Sequence, residues 1–110
     1  MEQVFNKLVR DNIPSIIKHN GEESVTKILA YEEYRKELYK KLLEEANEVI
    51  NTQNKADTLE ELADVFEVLK AIAELEGKNI NDVIEIANQK RLKRGGFSKR
   101  IFLEKTINNR

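Results

Sequence analysis

The stretch Lys41–Leu69, KLLEEANEVINTQNKADTLEELADVFEVL, decides how this chain is read. It carries Glu44, Glu45 and Glu48, then a gap of twelve residues, then Glu61 and Asp64. The polar run Asn51–Asp57 divides it into two helices, each with a carboxylate pair at i,i+3 spacing. Residues three apart lie on the same side of a helix, one turn from each other. An antiparallel hairpin therefore brings Glu45, Glu48, Glu61 and Asp64 towards one point.

Helical phase separates these acids from a plain charge run. At about 100° per residue, Tyr34, Leu38, Leu42, Glu45 and Val49 share one side of the first helix, with Glu48 at its edge. In the second helix Glu61 falls between Val65 and Val68, with Ile72 on the same line and Asp64 flanking it. An unpaired carboxylate on a core-facing stripe is costly, so the pattern calls for a positive partner. The plainer alternative is a solvated face paired with Lys40, Lys41 or Lys70 at helical spacing, and it suits Glu44, Glu60 and Glu67. For Glu45, Glu48, Glu61 and Asp64 together a metal site is the better reading.

Working outward, the first of these helices is expected to run from about Tyr31 to Asn51. The second is expected to start with Asp57 or Thr58 as N-cap and to end at Gly77. A fourth helix, capped by Asn79 or Asn81, should reach about Arg94 and close at Gly95-Gly96. Near the start, Asn12 and Pro14 open a short helix, Ile13–His19, that stops at Asn20-Gly21 and should bury Ile13, Ile16 and Ile17. Ser24–Ala30 (SVTKILA) has the β-branched content of a short edge strand and Arg100–Leu103 (RIFL) is its candidate partner. The expected architecture is all-α in the main: an antiparallel bundle of about four helices, with short β pairing of terminal segments. The length fits one domain over residues 1–110.

Composition narrows the function classes. The chain is 35% charged and 40% hydrophobic with one Pro and four Gly, which suits a helical protein better than a β-sandwich. A net charge of −1 supplies no global basic field for a nucleic-acid polymer. Charge is nevertheless uneven, with acids between Glu32 and Glu76 and a basic segment over Lys90–Arg100. Zero cysteines exclude a disulfide framework and a thiolate metal site. The N-terminal MEQVFNKLVRD has no apolar signal core, and no apolar run nears the roughly 18 residues of a membrane span. The expectation is a cytoplasmic protein with no membrane partner.

Four further features carry alternatives. His19, the only histidine, sits at a helix end, where the macrodipole favours imidazolium and a capping role. Tyr31, Tyr34 and Tyr39 stand at helical spacings and read as packing residues. In NQKRLKRGGF (Asn88–Phe97), Lys90, Arg91 and Arg94 either complement a helix C-terminus or clamp phosphate oxygens, for which arginine is well suited. Lys7, Arg10 and Asp11 in FNKLVRDNIP are too dense in charge for a plain strand.

These motifs resemble a known family. Glu45-x-x-Glu48, twelve residues, then Glu61-x-x-Asp64 is similar to the ExxE…ExxD signature of the MazG-like all-α nucleoside triphosphate pyrophosphohydrolases. The superfamily also holds phosphoribosyl-ATP pyrophosphohydrolase and dimeric dUTPases. FNKLVRDNIPSII, KLLEEANEV, EELADVFEVL and KRLKRGGFSKRIFLE, in that order, look like its small stand-alone house-cleaning phosphatase branch. Any acidic helix supplies ExxE, whereas the ordered set of four segments is specific.

The resemblance implies cleavage between the α and β phosphates of a nucleotide, with a non-standard nucleoside triphosphate as the expected substrate, giving monophosphate and pyrophosphate. It implies Mg²⁺, with Mn²⁺ as an alternative, held at Glu45, Glu48, Glu61 and Asp64, and a homo-oligomer, dimer or tetramer, with sites completed across two subunits. Residue chemistry agrees. Mg²⁺ takes oxygen ligands and keeps waters, and a site without His or Cys argues against zinc. Glu45 or Glu48 is the candidate general base. Lys7, Arg10, Lys90, Arg91 and Arg94 are candidates to hold the substrate phosphates, Arg94 foremost because it precedes Gly95-Gly96. Two alternatives stand beside this: a non-catalytic helical interaction module on the same scaffold, and phosphoribosyl-ATP pyrophosphohydrolase itself, from which the FNKLVRDNIP and RGGF blocks look different. Apolar positions on several sides of the Asp57–Glu76 helix favour a dimer.

Overall fold

The computed structural model describes residues 1–108, which form four helices and no strand: α1 (Ile13–His19), α2 (Tyr31–Ile50), α3 (Lys55–Leu75) and α4 (Ile80–Arg94). The all-α class is therefore as the sequence predicts. None of these helices is long and apolar enough to cross a membrane.

The centre is the α2–α3 hairpin. Leu38, Val68 and Ala73 are its buried apolar residues. Around them Tyr34, Leu42 and Val49 of α2 and Val65 and Ile72 of α3 are half-buried, the same stripes that helical phase selects. Burial raises the pKa of the Tyr34 phenol, with the charges of Glu74 and Asp11 adding to the effect, whereas Tyr31 and Tyr39 stay exposed. At the open end of the hairpin, Arg35 Nη1 donates to Glu76 Oε1 at 2.5 Å. At the closed end, Thr52 Oγ1 lies 2.8 Å from the Val49 carbonyl and 2.7 Å from Thr58 Oγ1, which fixes the turn.

Three expectations change. Helix α3 begins at Lys55, earlier than Asp57 or Thr58, because Asn54 is the cap: its Oδ1 accepts from the Asp57 N–H at 2.9 Å, and Asn54 Nδ2 donates to Asp57 Oδ2 at 2.8 Å. The same Asn-x-x-Asp arrangement opens α4, where Asn79 and Asp82 form a reciprocal capping box. Asn54→Ala should cost about 1 kcal/mol, readable as a lowered denaturant midpoint. At α1, Asn12 holds the cap position without a side-chain cap bond, and Ile16 stays exposed while Ile13 and Ile17 are half-buried. Finally, Ser24–Ala30 and Arg100–Leu103 form no ladder. β-Branched composition gives a segment a preference for extended backbone, and a sheet requires a partner within hydrogen-bonding distance. The chain turns at Phe97–Arg100, with Arg100 at φ 56° and its N–H donating to the Phe97 carbonyl at 3.0 Å.

Helix α4 packs far less on α3 than α2 does; none of its residues is buried, and only Ile80 and Asp82 at its start are half-buried. The molecule is consequently long, 68 × 35 × 24 Å with a radius of gyration of 19.1 Å, against about 13 Å for a compact chain of this length. Its accessible surface is 10657 Å², about 4,400 Å² more than a folded monomer of 12.8 kDa exposes.

Candidate active site

The hairpin brings together carboxylates that are far apart in sequence. Glu45 comes from the core-facing side of α2, and Glu61 and Asp64 from successive turns of α3; all three are half-buried. One oxygen of each lies within 4.8 Å of the other two. Glu48, one turn beyond Glu45, is exposed and stands outside this trio, at the edge where helical phase puts it.

Two cations touch the cluster. Arg10 Nη2 donates to Asp64 Oδ1 at 2.6 Å across 54 residues of sequence. Lys41 Nζ lies 3.7 Å from Glu45 Oε1 and 3.5 Å from Glu44 Oε1. The positive compensation that the apolar stripe demands is thus partly met from the N-terminal segment. The lysine pairings expected for solvated acids are present too, as Lys41–Glu44 and Lys70–Glu67.

The remaining like-charge repulsion shows in Glu61, whose pKa is raised. Loss of solvent contributes most, followed by the charges of Asp64, Glu48 and Glu45 and a hydrogen bond with Asp64. Glu48 therefore acts on Glu61 electrostatically although it lies outside the trio. An all-oxygen donor set with surplus negative charge fits a hard divalent cation that keeps some of its waters. His19 takes no part in the cluster.

A pH dependence follows. The folded chain binds the Glu61 proton more tightly than the unfolded chain does. This contribution to stability is full below the unfolded glutamate pKa, about 4.3, and is lost as pH rises through the raised value. In EDTA, the melting temperature of the parent relative to Glu61→Gln is expected to fall as pH rises from that range towards neutrality. A parent and variant that track each other throughout would count against the crowding of these carboxylates.

The other cations predicted from sequence lie elsewhere. Lys7 Nζ sits 5.5 Å from the centroid of the Phe5 ring. Lys90, Arg91 and Arg94 stand on the exposed last turns of α4, and among the described residues none of them forms an ion pair. The Arg91 guanidinium lies over Gly96, where an added Cβ would come within 3.4 Å of it. Gly95 at φ 82° closes the helix, its N–H donating to the Arg91 carbonyl at 2.8 Å. Lys41 and the Arg10–Asp64 pairing were not legible as parts of the site. Lys41 sits at ordinary helical spacing from acids, and nothing local to Arg10 points to a partner so distant.

A helix hairpin that gathers carboxylates without cysteine or histidine presents an all-oxygen donor set that could hold a divalent cation. The chain belongs to the phosphoribosyl-ATP pyrophosphohydrolase family, whose model matches residues 9–91. That family lies within the MazG-like all-α nucleoside triphosphate pyrophosphohydrolases, so the chain is a nucleotide pyrophosphohydrolase, a hydrolase of phosphoric anhydrides. No curated protein and no solved structure matches it.

Proposed function

We propose that the protein hydrolyses the α–β phosphoric anhydride of a non-standard nucleoside triphosphate with Mg²⁺ held by Glu45, Glu61 and Asp64, Glu48 completing the acidic set. The observation that carries this reading is the convergence of the three carboxylates within 4.8 Å. When bound, the ion would neutralise the polyphosphate, polarise the α-phosphoryl group and acidify a bound water. Water adds to the α-phosphorus, the bond to the bridging oxygen breaks, and monophosphate and pyrophosphate leave. Glu48, beside the trio and exposed, is the carboxylate left to take the proton.

Arg10 has two roles in this reading: it braces Asp64 and offers its remaining N–H groups to phosphate oxygens. Arg10 and Asp64 side chains are 56% and 42% exposed, so their pairing is worth at most about 1 kcal/mol. Arg10→Ala should therefore barely move the melting temperature while lowering turnover by about 10-fold or more, the scale of outer-shell partners at metal sites. A melting temperature that collapses with activity would make Arg10 a structural residue only. Lys90, Arg91, Arg94 and Lys7 are proposed to hold the β and γ phosphates. Because, among the described residues, the basic end of α4 forms no ion pair with an acid, the site is proposed to be completed across a homodimer, and the excess accessible surface supports that assembly. Zero cysteines and helices too polar to span a membrane support a cytoplasmic setting.

The family match favours a second reading, phosphoribosyl-ATP as the substrate. Both are tested by one assay: pyrophosphate release from phosphoribosyl-ATP and from standard and modified nucleoside triphosphates, with Mg²⁺ and with EDTA. Release from modified triphosphates supports the first reading and release from phosphoribosyl-ATP alone the second. Silence throughout from folded protein, with no thermal shift on adding Mg²⁺, would leave a helical interaction module.

A further inference from the structure

Pairs of a lysine and an acid one turn apart recur along α2 and α3, and Lys41 stands apart from the others. The Lys40 and Lys70 side chains are 72% and 39% exposed, as solvated partners are. Lys41 is 18% exposed and its partner Glu45 14%. Helical phase gives the reason: Lys41 lies about 60° from Leu38 and about 40° from Glu45, on the inward side of α2. Its stem packs there as apolar surface while the ammonium meets the acids. The second partner, Glu44, is slightly nearer, at 3.5 Å against 3.7 Å, but is 43% exposed. Water screens that contact, and the less solvated one with Glu45 is the stronger.

Two acids of the trio thus have a cation each. Arg10 takes Asp64 from the N-terminal segment and Lys41 takes Glu45 from within α2. Among the described residues Glu61 forms no ion pair, and loss of solvent followed by the charges of its acidic neighbours raises its pKa. The cluster is therefore pinned at Glu45 and Asp64 and carries its uncompensated charge on Glu61.

We propose that Lys41 is a positioning residue of the metal site: its ammonium holds the Glu45 carboxylate in the arrangement that gathers the trio, without touching substrate. An ionised carboxylate has about four lone-pair sites, so an ammonium on one oxygen leaves room for a metal ion. This inference rests on the metal reading of the preceding section and adds what keeps one of its ligands in place.

Charge and position predict opposite effects. A cation 3.7 Å from a carboxylate of the site repels an incoming divalent ion, so on charge alone its removal tightens metal binding. A partner that orients a metal ligand acts the other way, and its loss costs about 10- to 100-fold in metal affinity. The measurement is Mn²⁺ binding to the nucleotide-free full chain, read as free ion by electron paramagnetic resonance. Lys41→Met keeps the unbranched stem and removes the charge. It is expected to raise the dissociation constant by about 10- to 100-fold with the circular dichroism of the helices unchanged, and Lys41→Arg to recover most of that loss. Tighter binding by Lys41→Met would make Lys41 a counter-charge only and overturn the proposal. An unchanged constant with a raised KM for nucleotide would make it a phosphate contact and overturn it as well.

Glu44→Gln keeps the test open should Lys41→Met misfold, because Glu44 is exposed. It leaves Lys41 to Glu45 alone and is expected not to weaken Mn²⁺ binding although it removes a negative charge. A loss of about 10-fold would mean that net charge governs the site, against the proposal. A parent that binds no Mn²⁺ removes the metal reading and this inference with it, whereas a parent that binds, with Lys41→Met binding no worse, removes the positioning role alone.

Discussion

Glu61→Gln is expected to abolish measurable pyrophosphate release while the protein stays folded. Outer-shell partners of a metal site already cost 10- to 100-fold on removal, so loss of a direct oxygen ligand should exceed about 100-fold. The fold should tolerate the change. Glutamine keeps the size of the side chain and removes the charge that Asp64, Glu48 and Glu45 crowd. In EDTA the variant should melt at or above the parent's temperature near neutral pH, and Mg²⁺ should raise its melting temperature less than the parent's. The two measurements separate causes: lost activity with a lowered melting temperature would indicate damage to the fold. Full activity would remove Glu61 from the metal site.

The second large effect is on stability. Leu38 is 3% exposed, and with Val68 and Ala73 it makes up the buried apolar core. Truncating a buried leucine to alanine costs about 2–5 kcal/mol through lost transfer energy and the cavity left behind. Typical domain stability is about 5–15 kcal/mol, and here few other buried contacts share the load. Leu38→Ala should therefore shift the denaturant midpoint strongly and leave part of the population unfolded at ambient temperature. Leu43→Ala, on the exposed outer face of α2, is the control and should be nearly neutral unless a second copy covers it. A neutral Leu38→Ala would mean that the hairpin is not held by this stripe.

What was legible in the sequence was local and periodic. The i,i+3 and i,i+4 spacing of apolar residues identified the faces of α2 and α3, because helix geometry maps sequence separation directly onto direction. The same arithmetic put Glu45 and Glu61 on the inward faces and Glu48 at the edge, which is where each stands. Asn79 and Gly95 mark the limits of α4 through their own backbone and side-chain chemistry. The start of α3 was misread because Asp57, expected as the cap, is the residue that Asn54 caps. Both ends of that short-range bond were visible, but an acid three residues into a helix and an acid before one look alike in composition.

The strand expectation failed for a different reason. Ser24–Ala30 and Arg100–Leu103 have suitable side chains, but pairing depends on where α4 carries the second segment, and no local preference encodes that direction.

The sequence by itself determined the helical class, the inward faces of α2 and α3 and the acids that those faces carry, since each depends on residues within a few turns of one another. Only the tertiary structure decided that Arg10 pairs with Asp64 and that Leu59, Leu62, Phe66 and Leu69 of α3 and the C-terminal segment remain bare in one chain. Those outcomes depend on distances between segments tens of residues apart, for which the linear order of residues holds no periodic signal.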